Sequence, residues 1–207
     1  MSYKVGLWKI DGAVSAEPTA SISKIKQVHG AKIINAHDIE EAHPEADGIL
    51  LNTIDDTAVI YTADCLPLVL MNSSEALALH ISRKTLIRGL LEHAATKIKP
   101  ENIQHIFIGP HICQKHFSFE HAGAEIIEFQ KKFPEAVEEK NGNFYLSLIK
   151  AVETYFKQWV ITAEKITRDP RCTYESPELP SYKRWLEQGK PGQRGHLVTS
   201  IGTLTGN

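Results

Sequence analysis

Short apolar runs broken by glycine, proline or polar residues dominate the first part of the chain, and runs of that length predict strands. Val5 to Ile10 predicts a first strand ended by Asp11-Gly12, and Ala16 to Ser23, rich in small residues and without periodicity, predicts a surface loop. Gln27-Val28-His29-Gly30 leads into a short apolar run at Lys32 to Ile34. His29 therefore falls at a strand edge beside a glycine that permits a sharp bend. Ala46 to Leu51, Thr57 to Tyr61, Leu66 to Leu70 and Ala76 to His80 predict successive strands. Pro67 cannot donate to a central ladder, which places an irregular turn, or a strand's first residues, around Cys65.

The period then changes from strand to helix. Ser82 is a suitable N-cap, Leu86, Ile87, Leu90, Leu91, Ala94, Ala95 and Ile98 recur at three and four, and Pro100 stops the pattern. Ile103 to Ile108 predicts a strand ending in Gly109-Pro110. Gly123 to Lys132 predicts a second helix before Pro134, and Leu146 to Trp159 a third, with Leu148, Val152, Tyr155 and Trp159 along one side. Glu164 to Thr167 reads as a strand, Asp169 to Gly195 as a proline- and glycine-rich irregular stretch, and His196 to Leu204 as the last strand. Strands and helices are interspersed without strict alternation, so the expected class is α/β (α+β), a mixed β-sheet with packed helices and not a doubly wound parallel fold. No repeat or linker divides the chain, and a single domain over residues 1–207 is expected.

Composition narrows the function. With 42% apolar residues in 207 and a net charge of −2, the chain can bury a sizeable core and has no basic footprint for nucleic acid. Small molecules are the expected partners. No apolar run approaches a membrane span and Met1-Ser2-Tyr3-Lys4 leads into a strand-like segment, so a cytoplasmic protein is expected. Cys65, Cys113 and Cys172 form no CxxC pair and are odd in number, which predicts reduced thiols.

Cys65 admits three readings: a small core residue, a metal ligand or a nucleophile. His29, Cys65 and His80 each lie at or just beyond the end of a predicted strand, and strand ends of one sheet can bring three such side chains together. Three nitrogen and sulfur ligands with an open fourth position describe a catalytic zinc site, which would lower the pKa of a bound water or polarise a substrate oxygen. Their spacing matches no short zinc-finger rule. Without metal, Cys65 would be a nucleophile with His29 or His80 as its base. Asp64 is either an outer partner orienting one imidazole or a turn residue. Gly109-Pro110-His111-Ile112 could turn backbone N–H groups toward an anion, or form a simple turn. Arg171, Lys183, Arg184 and Arg194 either hold phosphate or are solvated.

Gln27-Val28-His29-Gly30, Ala46-Asp47-Gly48, Thr62-Ala63-Asp64-Cys65-Leu66-Pro67, His80, Ile108-Gly109-Pro110-His111-Ile112, Cys172-Thr173 and Ser181-Tyr182-Lys183-Arg184 resemble, in order, the bacterial laccase-domain family. That family was first described as polyphenol oxidases and later as purine nucleoside phosphorylases with adenosine deaminase activity. Some members are called peptidoglycan editing factors. The resemblance spans roughly Gln27 to Val198 and implies a cysteine-hydrolase-like laccase-domain fold. It also implies a zinc or copper ion held by His29, Cys65 and His80, which would be the catalytic residues. Zinc is favoured over copper by the nitrogen and thiolate donors. The implied reaction is phosphorolysis of adenosine, inosine or methylthioadenosine, with adenosine deamination as a second activity and a purine nucleoside and phosphate as partners. Asp64, Lys84, Arg184 and Arg194 are the candidate substrate contacts. Two further readings stand beside it: a divergent member acting as a metal-binding or interaction module, and a metal-free cysteine hydrolase.

The chain departs from the family where substrate would be held. The family's Ala-Gly-Trp-Arg-Gly after the second histidine is Ile81-Ser82-Arg83-Lys84-Thr85 here, so Lys84 keeps the arginine's charge without its two-pronged geometry. In the tail, the family's Gly-Arg becomes Gly192-Gln193-Arg194, and the segment before Gln27 is short.

Overall fold

The computed structural model describes residues 2–5, 7–15, 25–39, 43–53 and 56–203. The loop expected at Ala16 to Ser23 and the last residue of the expected His196 to Leu204 strand lie outside them. In chain order the strands are β1 (Ser2–Val5), β2 (Trp8–Ser15), β3 (Ile33–Asn35), β4 (Gly48–Leu51), β5 (Thr57–Thr62), β6 (Leu66–Met71), β7 (Ala76–Ile81), β8 (His105–Ile108), β9 (Ser118–Phe119), β10 (Val137–Lys140), β11 (Asn143–Leu146), β12 (Ile166–Arg168) and β13 (His196–Thr203). The helices are α1 (Arg83–Ile87), α2 (Leu90–Lys97), α3 (Ala124–Lys132), α4 (Leu148–Gln158) and α5 (Tyr182–Glu187).

A mixed six-stranded sheet in the order β12-β8-β6-β7-β4-β3 forms the centre. The outer pairs β3–β4 and β8–β12 are parallel and the inner pairs antiparallel. An antiparallel sheet in the order β1-β2-β13-β5 covers one face, and helices cover the other. Leu66, Leu68, Leu70, Leu77, Leu79 and Ile81 pack toward the helices, while Val69, Met71, Ala76 and Ala78 pack toward the second sheet with Ile10, Ile60 and Ile201. Strands buried on both faces read as unbroken apolar runs, which is the pattern of Leu66 to Leu70 and Ala76 to His80. The mixed α+β arrangement matches the expected class.

Three expected boundaries move. The expected strand at Val5 to Ile10 falls on two paired strands, Val5 ending β1 opposite Trp8 at the start of β2, and Asp11-Gly12 lie inside β2. The helix expected from Ser82 to Pro100 is two helices. Gly89 sits between them at φ 84, a left-handed conformation that costs glycine little and interrupts the helical ladder. Its apolar periodicity survives because both pieces face the same core. Ser82 does cap α1: its Oγ accepts the Thr85 N–H at 3.2 Å, and its own N–H reaches Thr85 Oγ1 at 2.8 Å. Finally, Leu146 ends a strand and Ser147 caps α4, while the stretch expected to be irregular contains α5.

Two crossings position the site. β5 belongs to the antiparallel sheet and β6 to the mixed one, so Ala63 to Cys65 carries the chain between layers. His80 lies opposite Pro67 across the β6–β7 ladder, which brings the end of β7 beside that crossing.

Candidate metal centre

Asp47 organises one half of the site. It follows Ala46, has no exposed surface, and its carboxylate accepts four hydrogen bonds. Oδ1 takes the His29 N–H at 3.0 Å and the His80 Nδ1–H at 2.8 Å. Oδ2 takes the Val28 N–H at 3.2 Å and the Gly30 N–H at 2.6 Å. The Asp47 carbonyl also receives the His80 N–H at 2.8 Å. Burial alone would raise the pKa of this carboxyl, yet the bonds from His80 and the turn outweigh it and hold it below the ordinary range. His29 stands at φ 57, a conformation that disfavours a side chain. The Asp47 oxygens around its turn, and the Arg88 guanidinium on its carbonyl at 2.7 Å, hold it there.

The other half comes from Cys65. One ligand atom from each of His29, Cys65 and His80 lies within 4.8 Å of the others. The two imidazoles meet edge to face with ring centres 4.9 Å apart. Burial would push the Cys65 thiol up, but His80 and His29 beside it prevail and bring its pKa to about 6. Reciprocally, burial would lower His80, and the neighbouring Cys65 and Asp47 raise it to about 9. Because His80 Nδ1–H is given to Asp47, Nε2 is the nitrogen available to an ion. A sulfur that favours the thiolate, an imidazole whose Nδ1–H is fixed on Asp47 and whose Nε2 proton an ion would displace, and a second imidazole within reach fit a nitrogen- and sulfur-ligated metal such as zinc.

Asp64 does not orient an imidazole. At φ 87 it turns away from the cluster: Oδ1 accepts the Thr173 hydroxyl at 2.7 Å and Oδ2 the Lys183 N–H at the start of α5, also at 2.7 Å. The orienting acid is Asp47, whose sequence signal is a carboxylate at the head of the apolar run Gly48 to Leu51, where a buried charge must be partnered.

The cluster lines a cavity of about 810 Å³. Arg83, Lys84, Lys183 and Arg194 also line it, beside the aromatic rings of Phe119 and Tyr182. Glu125 divides itself between two of these cations, 2.6 Å from Arg83 Nη2 and 3.2 Å from Lys84 Nζ. The Arg194 guanidinium lies 5.0 Å over the Tyr182 ring and 2.9 Å from His196 Nε2. Tyr61 Oη, Thr62 Oγ1, Arg83 Nε and His196 Nδ1 belong to residues of the same wall, and each is buried without a hydrogen-bond partner among the described residues. Arg83, Tyr61 and His196 escaped the sequence reading, since nothing in their local pattern marks a cavity wall.

Other expected contacts are engaged elsewhere. Arg184 does not line the cavity; its guanidinium donates to the carbonyls of Thr173 at 2.6 Å, Tyr174 at 2.7 Å and Ser176 at 3.3 Å, and to that of Leu179. It clamps the stretch before α5. Arg171 pairs with Asp169 at 2.7 Å. In Gly109-Pro110-His111-Ile112 the Gly109 N–H bonds the Pro67 carbonyl and the Ile112 N–H the Asp64 carbonyl, both at 2.9 Å, so these amides are not turned to an anion.

Comparison with known proteins agrees with this architecture. Residues 9–203 match the family described as multi-copper polyphenol oxidoreductase laccase. A protein named purine nucleoside phosphorylase from Campylobacter jejuni is 30% identical over 166 residues, covering 76% of this chain and 69% of its own. The purine nucleoside phosphorylase YfiH of Shigella flexneri is 31% identical over 178 residues, covering 80% and 70%. The fold is shared with a Neisseria meningitidis protein at a TM-score of 0.74 and 23% identity, over 88% of this chain and 74% of that one. It is shared too with YlmD from Geobacillus stearothermophilus at a TM-score of 0.72 and 21% identity, over 87% and 72%. No helix among the described residues is long and apolar enough to cross a membrane. With nearly its whole length matched, the chain belongs to the multi-copper polyphenol oxidoreductase laccase family.

Proposed function

We propose that this protein is a metal-dependent purine nucleoside phosphorylase that cleaves adenosine, inosine or methylthioadenosine, with adenosine deamination as a second activity. The observation that carries the reading is the grouping of His29, Cys65 and His80 within 4.8 Å in the wall of a cavity that also presents four cationic side chains. The relatives named purine nucleoside phosphorylases supply the substrate class. Zinc is the proposed ion, held by these three residues. When bound, it supplies Lewis-acid polarisation and a water acidic enough to deaminate a base.

The chain's own residues would do the rest. In phosphorolysis a phosphate oxygen bonds to the ribose anomeric carbon, the bond to the base nitrogen breaks with its electron pair, and the departing base gains a proton. Lys84, Lys183 and Arg194 would hold the phosphate, with Arg83 as the cation whose buried Nε lacks a partner among the described residues. Tyr61 and Thr62 offer hydroxyls to the nucleoside, and Tyr182 and Phe119 offer ring faces to the base. Asp47 holds the proton on His80 Nδ1 and so keeps Nε2 directed to the ion.

Incubation with adenosine and phosphate should release adenine and ribose 1-phosphate, with hypoxanthine and inosine marking deamination. Chelation should abolish both activities, and Cys65→Ala should lose the ion held by His29 and His80 while keeping the fold. Absence of any purine product in protein carrying stoichiometric zinc would refute the reading in favour of a metal-binding or interaction module. One observation supports a metal-free cysteine hydrolase instead: Asp47, His80 and Cys65 stand in the relay of acid, base and thiol that such enzymes use. A hydrolytic activity that survives chelation and is lost on thiol alkylation would establish that alternative.

A further inference from the structure

The other two cysteines face one another at a distance from the first cluster in sequence and on different elements. His111 and Cys172 pair in an isolated parallel bridge, with the Thr173 N–H donating to the His111 carbonyl at 3.2 Å. That pairing sets two short turns side by side. In one, the His116 and Phe117 N–H groups return to the Cys113 carbonyl at 3.1 Å; in the other, the Ser176 N–H returns to the Cys172 carbonyl at 3.0 Å. Such turns bring residues three apart to the same side. Cys113 and His116 therefore meet Cys172 and Glu175.

Ligand atoms of Cys113, Cys172 and Glu175 lie within 4.8 Å of one another. The Cys113 N–H donates to Cys172 Sγ at 3.2 Å, a contact that favours negative charge on the sulfur. His116 Nε2 at 2.9 Å and Lys115 Nζ at 3.1 Å both engage Glu175 Oε1, so neither occupies Oε2. Tyr174 stacks on the His116 ring with centres 4.2 Å apart and steadies it.

We propose that Cys113, Cys172 and Glu175 form a second metal site, for zinc, with His116 as the positioning residue that orients the Glu175 carboxylate. Two sulfurs and one carboxylate suit zinc and disfavour magnesium or calcium, which require oxygen ligands. Ligating carboxylates are themselves held by outer hydrogen bonds, the part His116 would play for Glu175. The ion would join two segments that both hold Asp64: the Ile112 N–H bonds the Asp64 carbonyl at 2.9 Å, and the Thr173 hydroxyl bonds its side chain at 2.7 Å. Its role is to brace the cavity wall.

The test uses the full chain, reduced, freed of metal by a chelator and reloaded with zinc or cobalt(II) alone. In Cys65→Ala, which lacks the thiol of the first cluster, cobalt should still produce a thiolate-to-metal absorption band. Native mass spectrometry of the same variant should still show a bound zinc ion. Adding Cys113→Ser and Cys172→Ser should remove both signals. Glu175→Gln, at an exposed side chain, and His116→Gln should each weaken zinc binding in the Cys65→Ala background by about 10–100-fold. A Cys65→Ala protein that takes up no zinc and shows no thiolate band would overturn the proposal. So would unchanged zinc affinity in both Glu175→Gln and His116→Gln. None of these readouts involves activity, so their outcome is independent of the function proposed for the first cluster.

Discussion

Replacing Asp47 by asparagine keeps the shape of the side chain and removes its charge and one acceptor. Each carboxylate oxygen accepts two donors, His29 N–H and His80 Nδ1–H on one, Val28 N–H and Gly30 N–H on the other. With its NH2 toward Val28 and Gly30 an amide leaves both of their N–H groups unsatisfied; with its NH2 toward His29 it leaves that N–H unsatisfied and forces the His80 proton from Nδ1 to Nε2, in a site without solvent. Hydrogen bonds to charged groups are worth about 1.5–3 kcal/mol each, so one or two lost bonds predict a destabilisation of about 1.5–6 kcal/mol. In urea this corresponds to a midpoint lowered by roughly 1–3 M. The His80 tautomer and the His29 backbone lose their anchor together, so zinc affinity should fall by about 10–100-fold. Urea unfolding of metal-free protein and competition with a chromophoric chelator measure the two effects. Destabilisation below about 1 kcal/mol with unchanged zinc affinity would show that Asp47 does not hold the two histidines.

Other perturbations separate structural from functional roles. At Gly48, an added methyl would stand 2.8 Å from both Ile33 Cγ1 and Leu79 Cδ2, so Gly48→Ala should cost about 1–3 kcal/mol by overpacking, read by thermal or urea melting. Arg184→Met should lower stability by about 2–3 kcal/mol and leave the KM for phosphate unchanged; a raised KM at full stability would return Arg184 to the substrate site. Glu125→Gln should tighten phosphate binding several-fold by freeing Arg83 and Lys84, measured as a lower KM. Burial holds His111 neutral, with its pKa lowered to about 4. The unfolded chain takes up this proton first as pH falls below about 6.5, so wild type should lose about 3 kcal/mol between there and pH 4 relative to His111→Gln. Equal pH slopes for the two proteins would refute that assignment.

Much of the molecule is written in local pattern. Unbroken apolar runs at Leu66 to Leu70 and Ala76 to His80 mark strands covered on both faces, and the spacing of Leu148, Val152 and Tyr155 marks α4, because burial of alternate or every third and fourth residue leaves a trace within a few positions. The ordered motifs from Gln27 to Arg184 likewise carry the family. Gly89 shows the limit of periodicity: both halves of the expected helix face one core, so the pattern runs through a break that only backbone conformation reveals.

The chemistry was decided in three dimensions. Asp64 adjoins Cys65 in sequence yet accepts the Lys183 N–H in the first turn of α5, while Asp47, well before it in the chain, holds both histidines. Arg184 carries the charge expected of a phosphate ligand but spends it on backbone carbonyls. Hydrogen bonds and ion pairs act over a few ångströms of space whatever the separation along the chain. Their partners were therefore set by the crossing from β5 to β6 and the pairing of β7, and not by neighbouring residues.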